Sequence, residues 1–139
     1  EAFRMFTNWC TGTGDEFKIY SWSETDYKQI SKEMILKGYE MNSAEEDLMS
    51  AAWSDFQMEF DSHLGFDRRL SLKTALDMAG IEFSGRAHDA LDDARNTAEL
   101  LNIFNNEVLF DTTLRKIREY MQPKECTFNL GTLIRGWAC

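Results

Sequence analysis

The chain has 139 residues, a single proline and 43% hydrophobic residues, which indicates one packed domain and excludes a disordered tail or linker. Its formal net charge of -9 excludes a broad basic surface for nucleic acid but leaves room for a local site. No apolar run reaches the ~18 residues that span a bilayer, so we expect no membrane partner. Cys10, Cys126 and Cys139 are odd in number and lack metal-like spacing, so we expect a reducing, cytoplasmic setting without disulfides or a zinc site.

The N-terminal part of the chain predicts a helix, a turn, a strand and a helix in that order. Apolar residues recur at helical spacing from the start of the chain, and they are Ala2, Met5, Phe6, Trp9 and Cys10. Residues 11–14 contain glycines, but they follow a helix and lack the Lys-Ser/Thr ending of a phosphate loop, so they predict a plain turn. Residues 17–22 alternate and are rich in aromatic side chains, as in a strand.

The next helix is predicted to begin after Ser23 as its N-cap and to end at Gly38. Its buried side should carry Tyr27, Ile30, Met34 and Ile35. Residues 48–53 fit either a strand or a helical turn. Helical spacing then returns at Phe56, Phe60, His63 and Leu64.

The C-terminal half predicts mainly helices. One begins after Ser71 and ends at Gly80, and residues 81–85 link it to a helix over about residues 90–105 with Asp89 as N-cap. The apolar stripe of that helix consists of Ala90, Leu91, Ala94, Ala98 and Leu101. A last helix is predicted from Leu114, Ile117 and Tyr120, with its end at Pro123 and an edge strand over residues 127–134. The predicted class is therefore α/β.

Residues 85–101, GRAHDALDDARNTAELL, place one histidine ahead of several acids. His88 lies just before the predicted helix and Asp93 about one turn inside it, so both side chains can point at the same end. A histidine can take a proton from water near neutral pH, and a nearby carboxylate can hold a cation that acidifies that water. Alternatively, first-turn acids interact favourably with the helix dipole, and a lone histidine is usually structural. Spacing leaves both interpretations open for this pair, and the structural one is kept for Asp89, Asp92 and Glu99.

Asp26 follows the other predicted junction between a strand and a helix. Residues 23–26, SETD, have the form of a capping box with Asp in place of Glu, which by itself explains the carboxylate. Open α/β sheets also gather ligands just beyond the C-terminal ends of strands, where Asp26 is predicted to lie. Two acids from separate helices, such as Asp26 and Asp93, are what a divalent-metal site requires.

Two segments carry a family resemblance. YSWSETDYKQI, followed by LSLKTALDMAGIEFSGRAHDALDDARNTAELL, resembles the DnaQ-like, or DEDDh, 3'-5' exonucleases, most closely the branch that contains KapD and the histone-mRNA exonucleases. The match runs in register over about residues 1–105. The resemblance implies that Asp26 is the metal-associated aspartate of the second motif, that His88 is the general base and that Asp93 is a metal ligand.

The resemblance also implies a fold and a reaction. The fold would be ribonuclease-H-like, a mixed α/β sheet flanked by helices. The reaction would be hydrolysis of phosphodiester bonds at the 3' end of single-stranded RNA or DNA, with release of nucleoside monophosphates. A two-metal site with Mg²⁺ or Mn²⁺ would support it.

The family's first motif has no counterpart in this chain. That motif is an Asp-x-Glu pair on the first strand, and Asp15 and Glu16 have neither the spacing nor a preceding strand. We therefore interpret residues 1–139 as a single domain that forms the C-terminal two thirds of an exonuclease domain and lacks its N-terminal strands. Its core would be residues 1–105, with a helix and strand extension at 106–139, and alone it should be nearly inactive.

Alternative functions remain open at the level of sequence. The absent Asp-x-Glu pair favours a catalytically silent relative that binds nucleic acid or protein, whereas retention of Asp26, His88 and Asp93 together favours an enzyme. An unrelated small helical binding domain requires both motif matches to be coincidental. Residues that fit either nucleic-acid contact or simple packing and pairing are Trp22, Ser23, Tyr27 and Arg86.

Overall fold

A computed structural model of the chain describes residues 1–122. In chain order its elements are α1 (Ala2–Thr11), β1 (Ile19–Ser21), α2 (Thr25–Lys37), α3 (Ser43–Ala51), β2 (Trp53–Asp55), α4 (Phe56–Leu64), α5 (Leu72–Ala79), α6 (Ala90–Phe104) and α7 (Glu107–Met121). Pro123, Cys126, Cys139 and the strand predicted over residues 127–134 lie outside the described residues.

The two strands form a parallel pair whose register joins Ile19 to Trp53 and Ser21 to Asp55. Parallel strands need a crossover connection, and α2 and α3 supply it here. The predicted α/β class is confirmed, and helices dominate the described residues. A two-stranded parallel sheet is compatible with a ribonuclease-H-like fold. The resemblance implied a larger mixed sheet, whereas the described residues 1–122 contain only these two strands.

The hydrophobic core lies between the sheet and the helices α4 to α7, with Phe56 and Phe60 at its centre. Both phenylalanines are fully buried, and Trp22 and Phe104 pack against them. Full burial of such a side chain stabilises the fold by roughly 1.5–3 kcal/mol. Because β1 and α4 both contribute to this core, β1 packs against α4.

Helix ends agree with most of the sequence predictions. The side chains of Ser71 and Asp89 accept hydrogen bonds from backbone N–H groups of α5 and α6, and α2 and α5 end at Gly38 and Gly80. Ser23, in contrast, is not the N-cap of α2. The N-cap position is Glu24, and neither hydrogen bond of the predicted box forms, because the Ser23 hydroxyl does not pair with the N–H of Asp26 and the Asp26 carboxylate does not pair with the N–H of Ser23. Ser23 instead uses its hydroxyl oxygen to accept from the N–H of Thr25 at 3.3 Å.

Two predicted buried faces differ from the structure. Ile35 of α2 is 81% exposed, and Met34 is the residue of that helix that is buried. In α6 the predicted alanine stripe is exposed, and the buried residues are Asn96, Thr97 and Leu100. Helical periodicity locates a stripe of small apolar residues, but it cannot tell a core from the wall of a cleft.

The helix α3 was missed as a separate element by the sequence analysis. It begins with a capping box in which Asn42 accepts from the N–H of Glu45 while the Glu45 carboxylate accepts from the N–H of Asn42. The buried carboxylate of Glu45 also accepts from Arg4 of α1 and from the hydroxyl of Tyr39, and this ties α1 to α3. None of the helices in residues 1–122 is long and apolar enough to cross a membrane.

Candidate active site

The three residues singled out from the sequence line one cleft. This cleft has a volume of about 1310 Å³, and Asp26, His88 and Asp93 all contribute to its wall. Asp26 lies in the first turn of α2, just beyond the C-terminal end of β1, and Asp93 lies in the first turn of α6. His88 belongs to the loop that precedes α6. The fold therefore brings together residues that are 62 and 67 positions apart in the sequence (88 − 26 and 93 − 26).

The two acids of this trio are available to a ligand. Among residues 1–122, no side chain or backbone N–H forms a hydrogen bond or ion pair with the carboxylate of Asp26 or Asp93 (the hydrogen bonds of Asp93 use its backbone). Asp26 is exposed and Asp93 is half-buried. Both carboxylates lie in the first turn of a helix, where the helix dipole interacts favourably with negative charge.

His88 has a backbone conformation that non-glycine residues rarely adopt. Its φ angle is +68°, in the left-handed region, and it is the only non-glycine residue with positive φ within residues 1–122. Such a conformation costs free energy and persists only where surrounding contacts impose it. His88 is exposed in the cleft wall, whereas the other histidine, His63, contacts the rings of Phe104 and Phe110.

Asp89 and Asp92, the other acids of this region, have structural contacts. The Asp89 carboxylate accepts from the N–H groups of Leu91 and Asp92 and lies 3.4 Å from the guanidinium of Arg86. The predicted capping role of Asp89 is thus confirmed. Asp92 does more than solubilise the helix, because its carboxylate accepts from the N–H of Arg86 at 2.9 Å. Sequence spacing gave no signal for this contact between a helix and the preceding loop.

Two cations, Arg69 and Lys73, also line the cleft. The guanidinium of Arg69 lies 2.7 Å from the carboxylate of Asp55 and donates to the side-chain oxygen of Gln57 at 3.1 Å. The hydrogen bond to Asp55 and the negative charge of that carboxylate raise the pKa of Arg69 above its ordinary value. The sequence analysis assigned neither cation a role, because Arg69 precedes the segment that carries the family resemblance and Lys73 lies within it without matching a proposed site residue.

The aromatic residues beside Asp26 contact other aromatic rings, although Tyr27, predicted on the buried side of α2, is 36% exposed. Trp22 makes edge contacts with the ring of Phe56, and Tyr27 does the same with Trp53. These contacts agree with the structural interpretation of both residues, although Trp22 also lines the cleft. Arg86 pairs with Asp89 and is otherwise solvent-exposed.

The metal-binding capacity of the cleft is incomplete within the described chain. Carboxylate oxygens are the donors that hard divalent cations prefer, so Asp26 and Asp93 have the right chemistry. Residues 1–122 nevertheless contain no group of three or more His, Cys, Asp or Glu side chains arranged to hold a metal ion. These residues alone do not make a complete site.

Comparison with known proteins gives one informative similarity. The mouse protein named ERI1 exoribonuclease 2 is 33% identical to this chain over 135 residues, which cover 94% of the chain. The chain spans 16% of the length of that mouse protein. This similarity supports the DnaQ-like exonuclease superfamily and gives no separate support to the KapD branch. No protein-family model matches the chain, and no solved structure matches it.

Proposed function

We propose that this chain is part of a metal-dependent 3'-5' exonuclease of the DEDDh type, which releases nucleoside monophosphates from single-stranded nucleic acid. The observation that carries the proposal is the convergence of Asp26, His88 and Asp93 on one cleft, because this trio matches the motifs of the resemblance. The similarity to a protein named an exoribonuclease supports the same reaction class and favours RNA. The narrower assignment to the KapD and histone-mRNA exonuclease branch rests on the motifs alone.

Asp26 and Asp93 are proposed as ligands of Mg²⁺ or Mn²⁺. Because residues 1–122 do not gather three ligands, we propose that residues preceding Glu1 supply the remaining carboxylates as an Asp-x-Glu pair. Bound divalent cations would acidify a water molecule and neutralise charge on the scissile phosphate. The isolated residues 1–139 should therefore be nearly inactive.

His88 is proposed as the general base. Its imidazole would accept a proton from the attacking water, and both His88 and Asp93 line the same cleft. The costly backbone conformation at this residue agrees with a functional constraint, because strain of this kind clusters at active sites. Arg69 and Lys73 supply positive charge at the same cleft and are candidates to contact the phosphates of the substrate.

A catalytically silent relative is the second candidate function. The incomplete set of metal ligands within residues 1–122 favours it, and such a protein would bind single-stranded nucleic acid or a protein without cleaving anything. The two candidate functions differ in the role of His88. An exonuclease requires His88 for turnover, whereas in a silent relative His88 would affect only binding. An unrelated helical binding domain is disfavoured by the similarity to the mouse protein across nearly the whole chain.

The test compares His88→Ala and Asp93→Asn in the protein that includes the residues before Glu1. His88→Ala should lower turnover by ~10²–10⁴-fold while Mn²⁺ and substrate affinities are preserved. Asp93→Asn should weaken Mn²⁺ binding as well as turnover, because a neutral amide is a poor ligand for a hard cation. Glu99→Gln, a similar change farther along α6, is the matched control and should leave both quantities unchanged. Substrate binding without any turnover in the unmodified protein would favour the silent relative.

A further inference from the structure

The loop that carries His88 is bonded to the helix that follows it. Residues 84–89 lie between α5 and α6 and end at Asp89, the N-cap of α6. Two of these residues have left-handed φ angles, which are +87° at Gly85 and +68° at His88. Glycine adopts this region freely, but at His88 it is not held by local preference, because a non-glycine residue pays for positive φ. Contacts from outside the loop must select this shape.

Asp92 provides the first of these contacts. Its carboxylate accepts a hydrogen bond from the N–H of Arg86 at 2.9 Å. The same carboxylate lies directly against Gly85, since a Cβ atom added at that glycine would be 2.4 Å from the carboxylate carbon of Asp92. Arg95, one turn along the helix, lies 3.5 Å from the other oxygen of Asp92 and balances its charge.

Asn96, one turn beyond Asp92, provides the second contact. Its side-chain oxygen accepts from the N–H of Ser84 at 2.9 Å, while its side-chain nitrogen donates to the carbonyl oxygen of Ser84 at 2.8 Å. The residue is 1% exposed. Only a carboxamide offers a donor and an acceptor side by side, so neither Asp nor Leu at this position can pair with both backbone groups of Ser84.

The two contacts lie on one face of α6, because residues four apart in a helix are stacked. Asp93 points about 100° away around the same helix, toward the cleft. The helix thus fixes the His88 loop with one face and presents a proposed metal ligand from the neighbouring face. Any tilt of the loop against α6 would move His88 relative to Asp93.

We propose that Asp92 and Asn96 are positioning residues that clamp the loop of residues 84–88 to α6 and so aim the imidazole of His88 into the cleft. This inference rests on the proposed function. Neither residue lines the cleft, and both contact the backbone of the loop, at Ser84, Gly85 and Arg86. A misplacement of a catalytic group by about 1 Å costs roughly 10²-fold in rate, so loss of the clamp should appear in turnover.

A double-mutant cycle between Asp92 and His88 tests the proposal in the protein that includes the residues before Glu1. Asp92→Ala should lower kcat by roughly 10–10²-fold with little change in KM or Mn²⁺ affinity. In a His88→Ala background the same change should have almost no further effect on kcat, because the residue that it positions is gone. Asp92→Asn keeps an acceptor for the N–H of Arg86 and should recover most of the lost turnover.

Multiplicative effects of Asp92→Ala and His88→Ala would overturn the proposal, since they would show that Asp92 acts independently of His88. Amide hydrogen exchange separates this outcome from failure of the proposed function. Asp92→Ala should raise the exchange rate at the N–H of Arg86 by at least tenfold, whereas Glu99→Gln should not. An unchanged exchange rate at the N–H of Arg86 in Asp92→Ala would refute the clamp, even if the unmodified protein had no nuclease activity. Faster exchange in Asp92→Ala together with an inactive unmodified protein would leave the clamp in place and refute only the proposed catalytic function.

Discussion

Replacement of Gly85 by Ala should destabilise the protein through two separable effects. A left-handed backbone costs a residue with a Cβ atom roughly 1–2 kcal/mol. The new Cβ would also lie 2.4 Å from the Asp92 carboxylate, so that side chain must swing away and release the N–H of Arg86. This hydrogen bond is exposed to water, so its loss adds only about 1 kcal/mol. The sum is about 2–3 kcal/mol, or about 6–10 °C in melting temperature for a chain of this size.

Gly14→Ala is the matched control for this prediction. Gly14 also has a left-handed backbone, with φ of +73°, but a Cβ atom there would meet nothing within 4 Å. Its replacement should cost only the backbone part, roughly 1–2 kcal/mol. Urea denaturation of both variants, each with and without Asp92→Ala, isolates the contact. In the Asp92→Ala background the cost of Gly85→Ala should fall to that of Gly14→Ala. An equal cost of Gly85→Ala in both backgrounds would refute the close approach of Asp92 to Gly85.

Two further predictions concern stability. The pKa of Glu45 is lowered from 4.5 to about 2, chiefly because Arg4 donates a hydrogen bond to its carboxylate. This carboxylate therefore stabilises the fold above pH 4.5, and its contribution is lost as the pH falls toward 2. Glu45→Gln should flatten the dependence of melting temperature on pH between 4.5 and 2, and an unchanged slope would contradict this assignment. Phe56→Ala, at a fully buried position, should cost about 3–5 kcal/mol in urea denaturation, whereas Phe17→Ala, at a side chain 38% exposed, should cost less than about 1 kcal/mol.

The sequence predicted the helix ends best where the capping contacts are local. Asp89 and Ser71 each cap N–H groups two or three residues ahead, and that geometry depends on little else. The prediction at Ser23 was wrong because the helix begins one residue later, after Glu24. The Ser23 hydroxyl accepts from the N–H of Thr25 and its carbonyl oxygen accepts from the hydroxyl of Ser21, and neither contact is visible in the spacing of residues 23–26. The capping box at Asn42 had the required spacing in the sequence and was overlooked.

Side-chain burial in α6 was not predictable from hydrophobicity. Asn96 and Thr97 are polar and buried because their side chains bond to backbone atoms, Asn96 to Ser84 and Thr97 to the carbonyl oxygen of Asp93. The alanines face the cleft, where a small side chain leaves space. Periodicity reports a stripe, whereas the direction of that stripe depends on tertiary contacts far away in sequence.

The residues of the candidate site could be predicted from the sequence, but the contacts that hold them in place could not. Asp26, His88 and Asp93 were identified from motif resemblance, and the structure places all three in the wall of one cleft. The contacts that hold the His88 loop involve backbone groups of Ser84 and Arg86, which carry no signal in side-chain patterns. Arg69 lies at the cleft beside Asp55 at the end of β2, and Lys73 lies at the cleft in the first turn of α5; the sequence predicted neither position.

The direction of cleavage tests the proposed 3'-5' exonuclease activity. Single-stranded RNA labelled at its 3' end, and the same RNA labelled at its 5' end, would be incubated with Mg²⁺ and the protein that includes the residues before Glu1. We predict immediate release of the 3' label as a nucleoside monophosphate, late release of the 5' label, no release after chelation, and release slowed by ~10²–10⁴-fold with His88→Ala. Cleavage that begins inside the strand, or that survives chelation, would contradict this prediction.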